Sequence, residues 1–234
     1  MRFRGVLFDA GETLVHPVPS FPELFSAVVQ QAGQRRSPEQ VVTASREVFD
    51  RFSQAAHDQE LWTTSPERSA RFWKGVYRRM LAVLALPADD GLPDQLYATF
   101  TDLDNYALFD DVLPALDALQ PSGATLGVVS NFEAWLEDLL ERLGVAARFP
   151  VLVISGQVGI EKPDQRIYRM ALDLAGIRPQ DAAYVGDNPE FDVTPTSAMG
   201  MTPILIDRRT RFPDHEGVRI TDLRDLPAAL EAAS

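Results

Sequence analysis

Short apolar runs ending in small or polar residues recur through this chain, and their spacing constrains the fold more than any other feature. They are Gly5 to Phe8, Thr125 to Val129, Val151 to Ile154, Ala182 to Val185 and Pro203 to Ile206. Their length and β-branched content suit strands buried on both faces, as in a parallel sheet. Between the later runs, apolar residues return at helical spacing. Trp135, Leu136, Leu139, Leu140 and Leu143 form one stripe closed by Gly144, and Ile167, Met170, Ala171 and Leu174 form another closed by Gly176. Strands alternating with helices predict an α/β domain with a doubly wound parallel sheet.

The first strand interrupts that rhythm. Between about Pro17 and Tyr106 no strand signal stands out, and helix-start signals take over. Ser37-Pro38-Glu39-Gln40 reads as a capping box with proline at the first helical position. Ser65-Pro66-Glu67 offers a second N-terminus of the same kind, followed by the stripe Phe72, Trp73, Val76, Tyr77, Met80, Leu81 and Leu84. A helical domain over 17–107 is therefore expected inside an α/β core formed by 1–16 and 108–234. The aromatic residues of the insert are expected to form mainly its own core.

Composition narrows the function classes. The chain has 234 residues, 22 basic against 34 acidic, for a net charge of −12. So acidic a surface disfavours nucleic acid and anionic membranes as partners. Cysteine is absent, which removes thiolate chemistry and cysteine metal sites. The start, Met1 to Asp9, is too short and too soon interrupted for a signal peptide, and no apolar stretch approaches the ~20 residues of a membrane span. A soluble cytoplasmic protein is the expectation; nothing in the sequence fixes its oligomeric state.

Four polar signals follow the apolar runs. Asp9 follows Val6-Leu7-Phe8, Ser130-Asn131 follows Val128-Val129, Lys162-Pro163-Asp164 follows Val158 to Glu161, and Gly186-Asp187 follows Tyr184-Val185, with Asp192 five positions on. Each alone reads as a turn former, a helix cap or a solvated side chain. In a parallel sheet, however, the carboxyl ends of all strands share one edge, where ligands bind. Asp9, Asp187 and Asp192 gathered there would repel one another without a cation, and a hard ion such as Mg²⁺ resolves that repulsion. Lys162 and the Ser130 hydroxyl supply a point charge and a donor for a phosphoryl oxygen. Lys162 is one of only two lysines, the other being Lys74, beside twenty arginines.

Together these residues resemble the haloacid dehalogenase-like (HAD) superfamily, specifically members with a helical cap inserted after the nucleophile strand. Phe8-Asp9-Ala10-Gly11-Glu12-Thr13-Leu14 matches the first motif, Val129-Ser130-Asn131 the second, Lys162-Pro163-Asp164 the third, and Val185-Gly186-Asp187 through Asp192 the fourth. The resemblance covers nearly the whole chain and implies a Rossmann-like core. It implies a Mg²⁺-dependent hydrolase of small phosphorylated molecules, with Asp9 as the nucleophile that becomes an aspartyl-phosphate. Asp9, the Gly11 carbonyl, Asp187 and Asp192 would hold the metal, Asp192 directly or through water. Ser130, the Asn131 backbone and Lys162 would bind the phosphoryl group, with Thr13 supporting the nucleophile loop.

One departure matters. Family phosphatases carry a second aspartate two residues after the nucleophile, which protonates the leaving oxygen and later activates water; here that position is Gly11. Losing such an acid/base costs about 10²–10⁴-fold in rate. Three readings follow: a phosphatase for acyl, enol or aryl phosphates, whose leaving groups need little protonation; Glu12 taking over the role; or a 2-haloacid dehalogenase, whose halide leaves without a proton. The family's dehalogenases use no metal and lack the Gly186-Asp187 pair. They bind the substrate carboxylate through a cap arginine, for which Arg35 and Arg36 are loose candidates. A Schiff-base phosphonate hydrolase would need a cap lysine, and Lys74 among Arg71, Arg78 and Arg79 reads as a solvated face. A low-turnover HAD-fold binding protein completes the alternatives, with Pro195 and Thr196 as drift from the family's Gly-Ala.

Overall fold

The computed structural model describes residues 3–45, 61–89 and 91–233. Tertiary contacts divide the chain into two units, Met1–Val15 with Leu108–Ser234, and His16–Ala107.

The first unit is built on strands β1 (Gly5–Phe8), β4 (Thr125–Ser130), β5 (Val151–Ile154), β6 (Ala182–Gly186), β7 (Thr202–Ile206) and β8 (Arg219–Ile220). They form one six-stranded sheet in the order β5-β4-β1-β6-β7-β8, and every pairing is parallel. The Rossmann-like α/β expectation holds. All four residues of β1 are buried, as a central strand covered on both faces requires. The two-residue β8 carried no sequence signal, since so short a strand has no periodicity to read.

The helices between these strands follow the stripes in the sequence. Helix α6 (Leu136–Arg142) buries Leu136, Leu139 and Leu140, and Gly144 follows in the left-handed region. Helix α8 (Gln165–Ala175) starts on an Asp164 cap and ends on left-handed Gly176. Its buried residues Ile167, Tyr168, Ala171 and Leu172 pack with Leu7, Val129, Val153 and Tyr184 of the sheet.

The second unit contains α1 (Phe21–Gln31), helical residues 38–45 (α2), α3 (Pro66–Val83) and α4 (Gly91–Phe100). The capping box forms reciprocally: the Ser37 N–H donates to Gln40 Oε1 at 2.9 Å and the Gln40 N–H to Ser37 Oγ at 3.4 Å. Ser65 caps α3 by accepting from the Arg68 N–H. Aromatic contacts knit the helices together, with Phe21 stacked on Phe100 at 4.7 Å, Trp62 on Phe72 at 5.2 Å, and Tyr77 meeting both Phe25 and Phe100. The absence of strand signal between Pro17 and Tyr106 stops at its margins. There β2 (Val15–Pro17) and β3 (Tyr106–Leu108) form a two-stranded ribbon where the chain leaves and re-enters the first unit. Three residues each were too few to show an alternation.

Candidate active site

Register places the nucleophile candidate. Phe8 pairs with Val128 of β4 on one side and with Val185 of β6 on the other. The next residue, Asp9, donates its N–H to the Val185 carbonyl at 2.8 Å. Ser130 therefore ends β4, and Gly186-Asp187 ends β6, at the same edge as Asp9. Topology alone brings these three together.

Lys162 arrives by a different route. The sequence expectation set it after a strand, but Ser155–Val158 form a short helix (α7) and Lys162 lies in the loop between α7 and α8. The apolar look of Val158 to Ile160 misled because those side chains pack against the core as a turn and loop. Asn131 fixes that loop: its amide donates to the Lys162 carbonyl at 2.9 Å, and its Oδ1 accepts from the Lys162 N–H at 2.7 Å. The side chain of Asn131 thus positions Lys162, a part the sequence did not reveal.

The charged centre is nearly sealed from water. Asp9, Lys162 and Asp192 are 7%, 4% and 1% exposed. Lys162 Nζ donates to Asp9 Oδ1 at 2.6 Å and to Asp192 Oδ1 at 2.7 Å, and Ser130 Oγ donates to Asp9 Oδ1 at 3.0 Å. Burial alone would pull the lysine's pKa down, but the Asp192 and Asp9 carboxylates outweigh it and hold the ammonium charged. Tyr184 completes this nest. Its hydroxyl lies 3.3 Å from Lys162 Nζ and donates to the Val129 carbonyl at 2.8 Å. Burial pushes the Tyr184 hydroxyl's pKa well up, so it remains a donor. The sequence hid this contact, because Tyr184 read simply as a β-strand residue.

Gly186 explains why Asp192 can reach the centre. A Cβ on Gly186 would stand 2.3 Å from Asp192 Cγ, so only glycine admits that carboxylate. The Asn188 N–H donates to Asp192 Oδ2 at 3.0 Å, while Arg211 donates to Asp187 Oδ2 at 2.6 Å. Burial, followed by the nearby Asp9 and Asp192 charges, pushes the Asp187 carboxyl up to about 7. One oxygen from each of Asp9, Asp187 and Asp192 lies within 4.8 Å of the others. Neither Asp9 Oδ2 nor Asp187 Oδ1 accepts a hydrogen bond among the described residues. The Gly11 carbonyl is likewise left out of the bonds that close its loop, Glu12 N–H to Val15 O and Val15 N–H to Ala10 O. Among the described residues, three carboxylates that share only Lys162 and Arg211 as cationic partners offer clustered hard oxygen donors, which fit a small divalent cation.

The loop that follows Asp9 carries the remaining predicted residues. Glu12 adopts φ 56°, and its carboxylate is held by Arg209 at 2.7 Å. Thr13 is fully buried, and its carbonyl accepts from Arg208 at 2.7 Å. Gly11 is not in the left-handed region, and a Cβ there would meet only Phe132 Cε2, at 3.8 Å. Space and backbone would both admit a side chain at this position.

Two alternative residues prove to be engaged in the helical unit. Lys74 pairs with Asp94 at 2.7 Å. Arg36, a loose candidate for binding a substrate carboxylate, donates to the Leu84 carbonyl at 2.8 Å and the Ala85 carbonyl at 3.2 Å, closing the carboxyl end of α3. Arg35 lines an open cavity of about 390 Å³ with Gln30, Arg36, Ser37 and Gln40.

Fold and site define a hydrolase with an aspartate-centred, cation-ready edge. The chain belongs to the haloacid dehalogenase-like hydrolase family, whose profile matches residues 3–200. It is 30% identical over 240 residues to haloacid dehalogenase-like hydrolase domain-containing protein 3 of Danio rerio, covering 97% of this chain and 96% of that one. It is 34% identical to a phosphoserine phosphatase of Thermus thermophilus, covering 66% and 65% of the two chains. A magnesium-bound HAD-hydrolase of Bacillus subtilis shares the fold with a TM-score of 0.80 at 13% identity, over 99% and 100% of the chains. The L-2-haloacid dehalogenase RSc1362 does so at 0.72 and 20%, over 99% of each. The fold thus serves both chemistries. No helix among the described residues is long and apolar enough to cross a membrane.

Proposed function

We propose that this hydrolase is a Mg²⁺-dependent phosphatase of small phosphorylated molecules, acting through a transient aspartyl-phosphate on Asp9. The observation that carries this reading is the convergence of carboxylate oxygens from Asp9, Asp187 and Asp192 within 4.8 Å. A dehalogenase of halide-bearing acids has no need of three carboxylates at one point. A phosphatase uses them to hold the cation that offsets a phosphate dianion. Phosphatase relatives, such as the Thermus thermophilus enzyme, support the same choice.

Asp9, Asp187 and the Gly11 carbonyl would hold the ion, and Asp192, bonded on both oxygens, would act through a bound water. The ion supplies Lewis-acid neutralisation of the phosphoryl oxygens. Lys162 and Ser130 keep Asp9 Oδ1 fixed, so the carboxylate meets phosphorus in one orientation. An Asp9 oxygen attacks phosphorus, the P–O bond to the leaving group breaks, and the electron pair stays on the leaving oxygen, which takes its proton from solvent. Water then attacks phosphorus and gives up its proton to solvent, the bond from the Asp9 oxygen to phosphorus breaks to restore the carboxylate, and inorganic phosphate leaves. Lys162 and the Ser130 and Asn131 groups steady the phosphoryl charge through both steps.

No carboxylic acid stands at position 11, and Glu12 is bound to Arg209. The preferred substrates are therefore acyl, enol or aryl phosphates, whose leaving groups depart as anions. The test is a panel of acetyl phosphate, p-nitrophenyl phosphate, alkyl phosphates and 2-chloropropionate, each assayed with Mg²⁺ and with chelator. Mg²⁺-dependent release of phosphate, fastest from the first two, is expected. Halide release in chelator without turnover of any phosphate overturns the reading.

A further inference from the structure

The loop that leaves β7 reaches across to the site and holds one of its carboxylates. Asp207, fully buried at the end of β7, accepts the Arg211 N–H on Oδ1 at 2.8 Å. It accepts the Phe212 N–H at 2.9 Å and Arg219 at 2.8 Å on Oδ2. That fixes the backbone of Arg211 in place. The Arg211 guanidinium then donates to Asp187 Oδ2 at 2.6 Å and to the Asp187 carbonyl at 3.3 Å. No other described residue bonds to the Asp187 side chain.

We infer that Arg211 is the positioning residue of the metal centre: by holding Asp187 at Oδ2 and at its carbonyl it fixes the orientation of a carboxylate that has an oxygen within 4.8 Å of oxygens of Asp9 and Asp192, and thereby sets the affinity for the divalent cation. The inference rests on the proposed metal-dependent reading of the same site. Two effects of Arg211 oppose each other. Its positive charge weakens cation binding through Coulomb repulsion, and its hydrogen bonds strengthen binding by removing the rotational freedom of Asp187. Repulsion is the smaller effect here, because the guanidinium is paired with the Asp187 carboxylate and its side chain is 27% exposed, where solvent screens it. Orientation is the larger, since without Arg211 Asp187 would rotate away from two like charges within 4.8 Å. Groups that orient a metal's protein ligands typically account for about 10–100-fold in affinity.

Isothermal titration of the full chain with MgCl₂ tests this, using wild type, Arg211→Met and Arg211→Lys. Circular dichroism of each variant in chelator confirms that it is folded. Arg211→Met is expected to weaken Mg²⁺ binding by at least tenfold. Arg211→Lys, which keeps a donor and a charge, should recover part of that loss. A change below tenfold in Arg211→Met, or tighter binding, overturns the inference while leaving the phosphatase reading intact. If Arg211→Met is not folded, binding by Arg211→Lys equal to wild type overturns it instead, and weaker binding supports it. Wild type that takes up no Mg²⁺ overturns both.

Discussion

The Lys162 ammonium nitrogen stands 2.6 Å from Asp9 Oδ1 and reaches Asp192 Oδ1 at 2.7 Å with its second proton. One buried cation thus bridges Asp9, at the end of β1, and Asp192, in the segment that follows β6. Removing it leaves two buried charges facing each other, which the site tolerates poorly. Lys162→Met should lower kcat/KM for p-nitrophenyl phosphate by about 10²–10³-fold, the size of losing one fixed electrostatic group. It should also lower the melting temperature in chelator more than in Mg²⁺, since added cation partly replaces the lost charge. Equal losses in the two conditions would separate Lys162 from the metal site.

Gly11 is the position where sequence and geometry make a sharper statement together than either alone. The sequence places no carboxylic acid at this position, and the structure shows that a side chain would meet only the edge of Phe132, at 3.8 Å. Gly11→Asp should therefore fold normally and raise turnover of alkyl phosphates by at least about tenfold, part of the 10²–10⁴-fold that a general acid supplies. Acetyl phosphate, whose leaving group needs no proton, should gain little. Steady-state kinetics on the two substrates measures the difference directly; equal gains would mean that leaving-group protonation is not the limiting step.

The residues that were legible in the sequence share one property: they end strands. Asp9, Ser130 and Asp187 follow apolar runs, so knowing that the sheet is parallel was enough to place them at one edge. Lys162 does reach Asp9, but not from a strand end as the sequence suggested, because the segment before it is a helical turn and loop. What stayed hidden was every contact that depends on a loop crossing over another element. Arg208 meets Asp111 across 97 positions and the Thr13 carbonyl across 195. No local pattern encodes such distances, and an arginine after a strand reads as surface. The ribbon of β2 and β3 escaped for a simpler reason: three residues per strand carry no period.

Gly186 reads in the sequence as half of a motif, and the structure turns it into a steric requirement. The Asp192 carboxyl carbon would lie 2.3 Å from a Cβ at this position, far inside van der Waals contact. Gly186→Ala should leave the sheet assembled but push Asp192 away from Lys162 and the carboxylate cluster. Mg²⁺ affinity measured by titration calorimetry is expected to fall about tenfold or more, in the range seen when groups around a metal are disturbed. Activity at saturating Mg²⁺ should recover only in part. Unchanged affinity would show that Asp192 contributes nothing to cation binding.

Arg208 ties together the two chain segments of the first unit that Thr13 and Asp111 belong to. Its guanidinium grips Asp111 with two bonds, at 2.6 and 2.9 Å, lies 3.8 Å over the Phe109 ring, and donates to the Thr13 carbonyl. Asp111 is 3% exposed and has one further donor, the Leu223 N–H at 2.8 Å. Breaking a buried pair by removing one partner costs about 3–5 kcal/mol, because the other charge is left behind. Arg208 keeps some exposure, 12% of its side chain, so the lower end applies. Arg208→Met should then lower the melting temperature by about 10 °C, at roughly 2–4 °C per kcal/mol for a chain of this size. Adding Asp111→Asn removes the stranded charge and should restore part of the loss, a coupling that thermal melts of the two single variants and the double would reveal. Strictly additive losses would mean that Arg208 stabilises through Phe109 and Thr13 alone.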